Sequence, residues 1–185
     1  MRILVFAASL RSASLNRKLA ALAAERLKAH GADVDHADFR EFEAPIYDGD
    51  LEAASGIPAG ARAFNDRVKH AAGFAISTPE YNFSMPGALK NLIDWSSRER
   101  PIIWKGKPGL LLGTSPSMVG AQRSLWAVRV PFESLGAHLF PDMFSLAQGD
   151  QRLDAAGQLN DQKLAKRLDD VTGAFLKFAE ALSRA

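Results

Sequence analysis

Residues 1–17, MRILVFAASLRSASLNR, constrain this chain more than any other stretch. Ile3 to Ala8 is an apolar run of strand length, and a small, hydroxyl-rich loop, Ser9-Leu10-Arg11-Ser12-Ala13-Ser14, follows at once. A helical pattern then begins at Leu15. A buried strand that hands over to a helix through such a loop makes an anion site. The first helical turn has unsatisfied backbone N–H groups and a positive dipole end. Ser9, Ser12 and Ser14 add hydroxyl donors and Arg11 adds a fixed charge, which suits a phosphate. Asn16 either closes the loop or donates as well, and Ser14 alone can be read as an ordinary N-cap. The loop is neither G-x-x-x-x-G-K-[ST] nor G-x-G-x-x-G, so the triphosphatase and dinucleotide fingerprints are absent. The chain has no cysteine, which rules out a thiolate phosphatase loop, disulfides and iron–sulfur ligation.

At 185 residues and 47% apolar content, the chain is expected to form one domain over residues 1–185 with an ample core. No signal-peptide pattern and no apolar run near ~20 residues is present, so the expected compartment is the cytoplasm, with no membrane partner. Net charge is +2 with both signs interspersed; without a basic stripe or interleaved aromatics, nucleic acid is not an expected partner.

Leu15, Leu19, Leu22 and Leu27 mark a first helix ending near His30-Gly31. Ala32 to Phe39 reads as a second strand. Its Asp33, Asp35 and Asp38 suit a sheet edge better than a metal site. Arg40 to Pro58, with Tyr47, is read as a long connecting loop, and helical signals resume over Ala59–Ala71. A third strand, Gly73–Ser77, ends in Thr78-Pro79-Glu80-Tyr81-Asn82-Phe83-Ser84-Met85-Pro86, with Pro86 placed for the first turn of the next helix. A fourth, Gly109–Gly113, opens into Thr114-Ser115-Pro116-Ser117-Met118-Val119-Gly120. Ala121, Leu125, Val128, Phe132 and Leu135 then stripe a helix, Ala137–Phe140 reads as a fifth strand, and Leu164 to Leu182 mark the last helix.

Strands alternating with helices, several of them continuously apolar, predict an α/β three-layer sandwich with a parallel sheet. Five strands fit the flavodoxin-like order 2-1-3-4-5, whose ligands lie beyond the strand C-termini. The loops Ser9–Asn16, Thr78–Met85 and Thr114–Gly120 therefore converge. The first is a phosphate cradle. The second offers Glu80, Tyr81 and Asn82 to the polar edge of a heterocycle, and the third, with Thr114, Ser115 and Gly120, approaches a ring face or ribityl chain. A planar ring with one phosphate describes FMN. Tyr81 and Phe83 also read as packing aromatics, and Glu80 as an anion beside the helix that begins at Pro86. None of the four histidines has metal-ligand spacing with another.

Ala8-Ser9-Leu10-Arg11 with Ser14 and Asn16, and the stretch from Thr78 through Met85-Pro86-Gly87-Ala88-Leu89-Lys90-Asn91-Leu92-Ile93-Asp94-Trp95, resemble the NAD(P)H-dependent FMN reductase family. That family includes bacterial chromate and quinone reductases and azoreductases. The resemblance runs from Met1 to about Phe140 and continues more weakly beyond. It implies non-covalent FMN, with NAD(P)H as co-substrate. It also implies two-electron reduction of a small-molecule acceptor: a quinone, an azo dye, a flavin or a metal oxyanion such as chromate. Carried over, Ser9, Arg11, Ser14 and Asn16 would hold the phosphate, with Leu15 counted in the same cofactor-binding set. Pro79, Glu80, Tyr81, Asn82 and Phe83 would face the isoalloxazine, and Ser115 lies on the third loop. The chemistry takes place on the flavin, so no side chain is expected to be a nucleophile. The chain departs from the family in having Ala8 where glycine is common, and a third loop, Ser-Pro-Ser-Met-Val-Gly, that is not glycine-rich.

Two alternatives share the fold: an electron-carrying flavodoxin, against which +2 counts because such carriers are usually acidic, and a reductase that releases reduced FMN to a partner. Arg98, Arg100, Lys105 and Lys107 form a basic segment suited either to a 2′-phosphate or to solvent. Trp126 and Val130 point away from the apolar stripe of their helix, flanked by Arg129 and Glu133, with the make-up of an interface with a polar rim. Trp95 is a candidate extension of that patch, and Tyr47 a candidate wall of a partner's site. A homodimer or homotetramer is the expected assembly, as the resemblance also implies.

Overall fold

The structure, a computed structural model, describes residues 1–184. Its strands are β1 (Arg2–Ala7), β2 (Asp33–Ala37), β3 (Gly73–Thr78), β4 (Pro108–Thr114), β5 (His138–Leu139) and β6 (Phe144–Leu146). Its helices are α1 (Leu15–Ala29), α2 (Gly49–Ser55), α3 (Ala59–His70), α4 (Gly87–Ser96), α5 (Gln122–Ser134), α6 (Gly149–Arg152) and α7 (Gln162–Leu182). All strand pairs are parallel and run β2-β1-β3-β4-β5, with β6 also on β4. This is the flavodoxin-like order, with β1 inside and the charged β2 at the edge.

Both faces of the sheet are covered, and the alternation along each strand sorts the core. Leu4, Phe6, Phe74, Ile76 and Leu111 face the layer made by α3, α4 and α5. Ile3, Val5, Ala75, Leu110 and Leu112 face α1 and α7. Phe6, Phe39, Phe42 and Phe64 interlock on the first side, and Phe74, Trp104 and Phe132 beside them, with centroid distances of 4.6–6.4 Å.

Three sequence expectations need correction. The sheet has six strands rather than five: the expected fifth is present, shortened to β5, and pairs with Pro108-Gly109, while β6, which the sequence reading missed, pairs with Leu112–Thr114. Pro141 lies in the break between β5 and β6, where it has no N–H to give a ladder. The Arg40–Pro58 connection is not a bare loop. A 3-10 turn over Phe39–Phe42 is closed by a capping box from Asp38 and Glu41, and α2 is capped by Asp48. Trp95 does not extend a surface patch; it is fully buried, its Nε1 donating to the Pro45 carbonyl at 2.8 Å. The edge reading of β2 holds. Asp35 pairs with Arg67 and Arg2, Asp38 with Arg17, and no cluster of potential metal ligands occurs among the described residues. No described helix is long and apolar enough to cross a membrane.

Candidate flavin site

The loops leaving β1, β3 and β4 open onto one cleft of about 360 Å³. Ser9, Arg11, Ser14, Leu15 and Asn16 line one side; Pro79, Glu80 and Tyr81 a second; Thr114, Ser115 and Pro116 a third. Most of the residues singled out from sequence as cofactor-binding therefore meet in one place. Asn82 and Phe83 stand outside the lining, at the tip of their loop.

The first loop leaves its backbone unspent. Ser9 N–H turns back to the Ala7 carbonyl, and from Asn16 onward the amides bond within α1 or to its cap. Between them the amides of Leu10, Arg11, Ser12, Ala13, Ser14 and Leu15 donate to no acceptor among the described residues. Ser14 is indeed the N-cap of α1, accepting from Asn16 N at 3.2 Å, which still leaves its hydroxyl proton to give. Arg17 is bound to Asp38, whereas Arg11 reaches the cleft with no carboxylate partner among the described residues. Unspent amides, hydroxyls and a free guanidinium at a helix N-terminus are the donor set of an anion site.

Asn16 has another task. Its Oδ1 accepts from Ser77 Oγ at 2.9 Å and from Thr114 N at 3.0 Å, and its Nδ2 donates to Thr114 O at 2.9 Å. The residue is 3% exposed, so one amide side chain ties the ends of β3 and β4 to the start of α1. The second Nδ2 proton remains for a ligand.

On the second loop, Glu80 is not the anion of α4 that its nearness to Pro86 suggests. It caps α5 instead: Oε2 accepts from Arg123 N at 3.0 Å, and Oε1 is held by the Arg123 guanidinium. Ala121, the cap residue, has no side chain for that purpose, so the carboxylate supplies it. Tyr81 and Ser84 exchange both backbone hydrogen bonds at 3.0 Å across Asn82 and Phe83, whose φ values are +48° and +66°. This is a type I′ turn. Tyr81 remains half exposed at the rim.

The third loop is braced by the segment that follows the missed strand. Gln148 N–H donates to Ser117 O and Gly149 N–H to Ser115 O, each at 3.0 Å. A Cβ on Gly149 would collide with Thr114 Oγ1, so the glycine permits that approach. Gly120, expected to clear space for a ring, instead makes room for β6: at φ +60° a Cβ would lie 2.7 Å from Ser145 Oγ. α6 brings Asp150 into the cleft lining. The sequence reading missed it because its position depends on β6, a short strand that no periodicity announces.

Around the site, burial first and then Lys28 and Arg17 hold the His36 imidazole below its ordinary pKa. The Arg40 amide and then the Arg17 guanidinium hold the Asp38 carboxyl low. His36, Asp38, Arg17 and Ser9 share a smaller cavity of about 180 Å³ behind the first loop. The basic segment after α4 is not at the cleft. Arg98 is committed to Glu52 at 2.8 Å, and Lys107 donates to the Ala71 carbonyl at the N-terminal end of β4. Tyr47 stacks edge-on against Trp95 and donates to Glu52 at 2.9 Å.

The parallel sheet, its order and the donor-lined cleft at the strand C-termini define a mononucleotide-binding α/β protein. Comparison with known proteins narrows the class. The NADPH-dependent FMN reductase family matches residues 1–151, and the chain belongs to that family. It is 36% identical over 171 residues to a 2-hydroxy-1,4-benzoquinone reductase of Burkholderia sp., covering 91% of this chain and 90% of that one. It is 34% identical over 144 residues to a quinone reductase of Escherichia coli K12, covering 76% and 74%. Among solved structures, the flavoenzyme NAD(P)H:(acceptor) oxidoreductase FerB of Paracoccus denitrificans superimposes with a TM-score of 0.84 at 30% identity, over 97% of each chain. The protein is therefore an oxidoreductase of a family that works with FMN and NAD(P)H.

Proposed function

We propose that this protein holds FMN in the cleft at the strand C-termini and uses NAD(P)H to reduce quinones. Azo dyes, free flavins and metal oxyanions such as chromate are further acceptors. The observation that carries the reading is the run of unspent amides from Leu10 to Leu15 beside Arg11, facing Pro79, Tyr81 and Ser115 across one cleft. These residues fit the group. Ser9, Arg11, Ser14, the Leu15 amide and the spare Asn16 N–H would hold the phosphate, and the Pro79–Tyr81 backbone and Ser115 would meet the ring and ribityl chain. Bound FMN supplies a hydride acceptor and a two-electron donor.

The chain's own residues then bind, orient and shield. Arg11 and the α1 dipole neutralise the phosphate and fix the cofactor's position along the cleft. Asn16 keeps the three loops at a constant spacing. Glu80, committed to Arg123, brings no free carboxylate to the ring edge, and the loop amides stabilise negative charge there. Donor and acceptor use the open side of the cleft in turn, which predicts ping-pong kinetics.

The whole chain acts as one FMN-binding unit in the cytoplasm, where NAD(P)H is supplied. It works as a homodimer or homotetramer. Trp126 and Val130 on α5 are 58% and 70% exposed, and Arg129 stacks on Trp126 while pairing with Glu133. An apolar patch with a charged rim supports self-association. The test is NADPH and NADH oxidation by FMN-loaded protein with a benzoquinone. Parallel lines in double-reciprocal plots support the reading; cofactor-loaded protein that NAD(P)H does not reduce refutes it.

A further inference from the structure

The turn that carries Tyr81 uses a residue its geometry does not favour. Where both central φ values are positive, Asn-Gly is the preferred pair; here the pair is Asn82-Phe83, at +48° and +66°. An aromatic residue in the left-handed region is a steric outlier that persists only where its surroundings hold it. Burial does not hold Phe83, which is 69% exposed. What it touches is Arg123: the guanidinium carbon lies 3.7 Å from the ring centroid. The same guanidinium binds Glu80 Oε1, and the Arg123 backbone N–H donates to Glu80 Oε2 at 3.0 Å. One arginine therefore grips both the base of the loop, at Glu80, and its tip, at Phe83. Stacking on a ring while donating in plane to a carboxylate needs a flat, multi-donor cation, which arginine is and lysine is not.

We propose that Arg123 is a positioning residue: by stacking on Phe83 and pairing with Glu80 it clamps the Pro79–Ser84 loop and so sets the cleft wall that Tyr81 provides. The effect on flavin binding rests on the cleft being the FMN site; the clamp itself does not. An aromatic at position 83 gives the arginine something to grip, so the position of this wall depends on the N-terminus of α5 rather than on the turn alone.

The experiment compares four variants: Arg123→Ala, Arg123→Lys, Phe83→Gly, and the double variant that combines Arg123→Ala with Phe83→Gly. Two readouts are taken: amide hydrogen exchange at Tyr81 and Ser84 in flavin-free protein, and the Kd for FMN. Arg123→Ala and Arg123→Lys are expected to speed exchange at these amides about tenfold and to weaken FMN by a similar factor, the scale of one released left-handed residue. Phe83→Gly alone is expected to exchange no faster than the parent. In the double variant both readouts should return to within about threefold of the parent, since Asn-Gly holds this turn unaided. A merely structural or charge role for Arg123 would not be rescued by glycine at a neighbouring loop tip. Unchanged exchange in Arg123→Ala, or a double variant no better than the single one, overturns the clamp. If exchange follows the expected pattern but the parent protein binds no FMN, the clamp stands and the cleft assignment falls.

Discussion

Replacing Asn16 by Ala tests whether one side chain sets the spacing of the three loops. The substitution removes hydrogen bonds of 2.9, 3.0 and 2.9 Å to Ser77 Oγ, Thr114 N and Thr114 O. Ser77 and Thr114 are 0% and 1% exposed, so water does not replace the lost partners. The Ser77 hydroxyl can rotate toward another acceptor, but the Thr114 N–H cannot turn. At ~1–3 kcal/mol for each stranded buried group, the expected loss is about 2–4 kcal/mol. That is a large share of the ~5–15 kcal/mol typical of a folded domain. The assay is urea unfolding of the flavin-free protein, read as a shift of midpoint at constant slope. Because the loops lose their spacing as well as one N–H toward the phosphate, riboflavin should weaken along with FMN, and FMN somewhat more. A loss under about 1 kcal/mol, or a defect confined to FMN, would show that Asn16 acts as a phosphate ligand and not as the tie.

Three further outcomes are expected. Arg11→Ala should weaken FMN by about 1.5–3 kcal/mol, the range for a charge-assisted hydrogen bond, and leave riboflavin unchanged in a fluorescence titration. His36 has a folded-state pKa below its ordinary 6.5, so between the two values the unfolded chain binds the extra proton. Stability is then complete above about pH 6.5 and declines as pH falls through that window; in His36→Gln, pH-dependent melting should lose this component. Trp126→Glu should lower the mass measured by light scattering, and a parent protein that is already monomeric would remove the interface assignment.

The sequence exposes those features that local chemistry dictates. The parallel sheet is legible because β1, β3 and β4 are buried on both faces and so read as continuous apolar runs, and the edge position of β2 follows from its aspartates. The convergence of three loops then follows from topology. What stays hidden depends on contacts between distant segments. The break at Pro141 makes β6 a three-residue strand, too short for periodicity to register, and Asp150 is hidden with it. Trp95 looks like surface from its helix alone; only the Pro45 carbonyl, delivered by the Arg40–Pro58 segment, shows why an indole is buried there. Glu80 lies nearer in sequence to the start of α4, but α5 lacks a capping side chain of its own and takes the carboxylate.

The flavin site stands on one set of contacts, the Leu10–Leu15 amides and Arg11 against the phosphate of FMN. Titrating flavin-free protein with FMN and with riboflavin, under the same conditions and by fluorescence quenching, tests those contacts. Several charge-assisted hydrogen bonds to one phosphate predict FMN binding tighter by about a hundredfold or more. Equal affinities for the two flavins would contradict it.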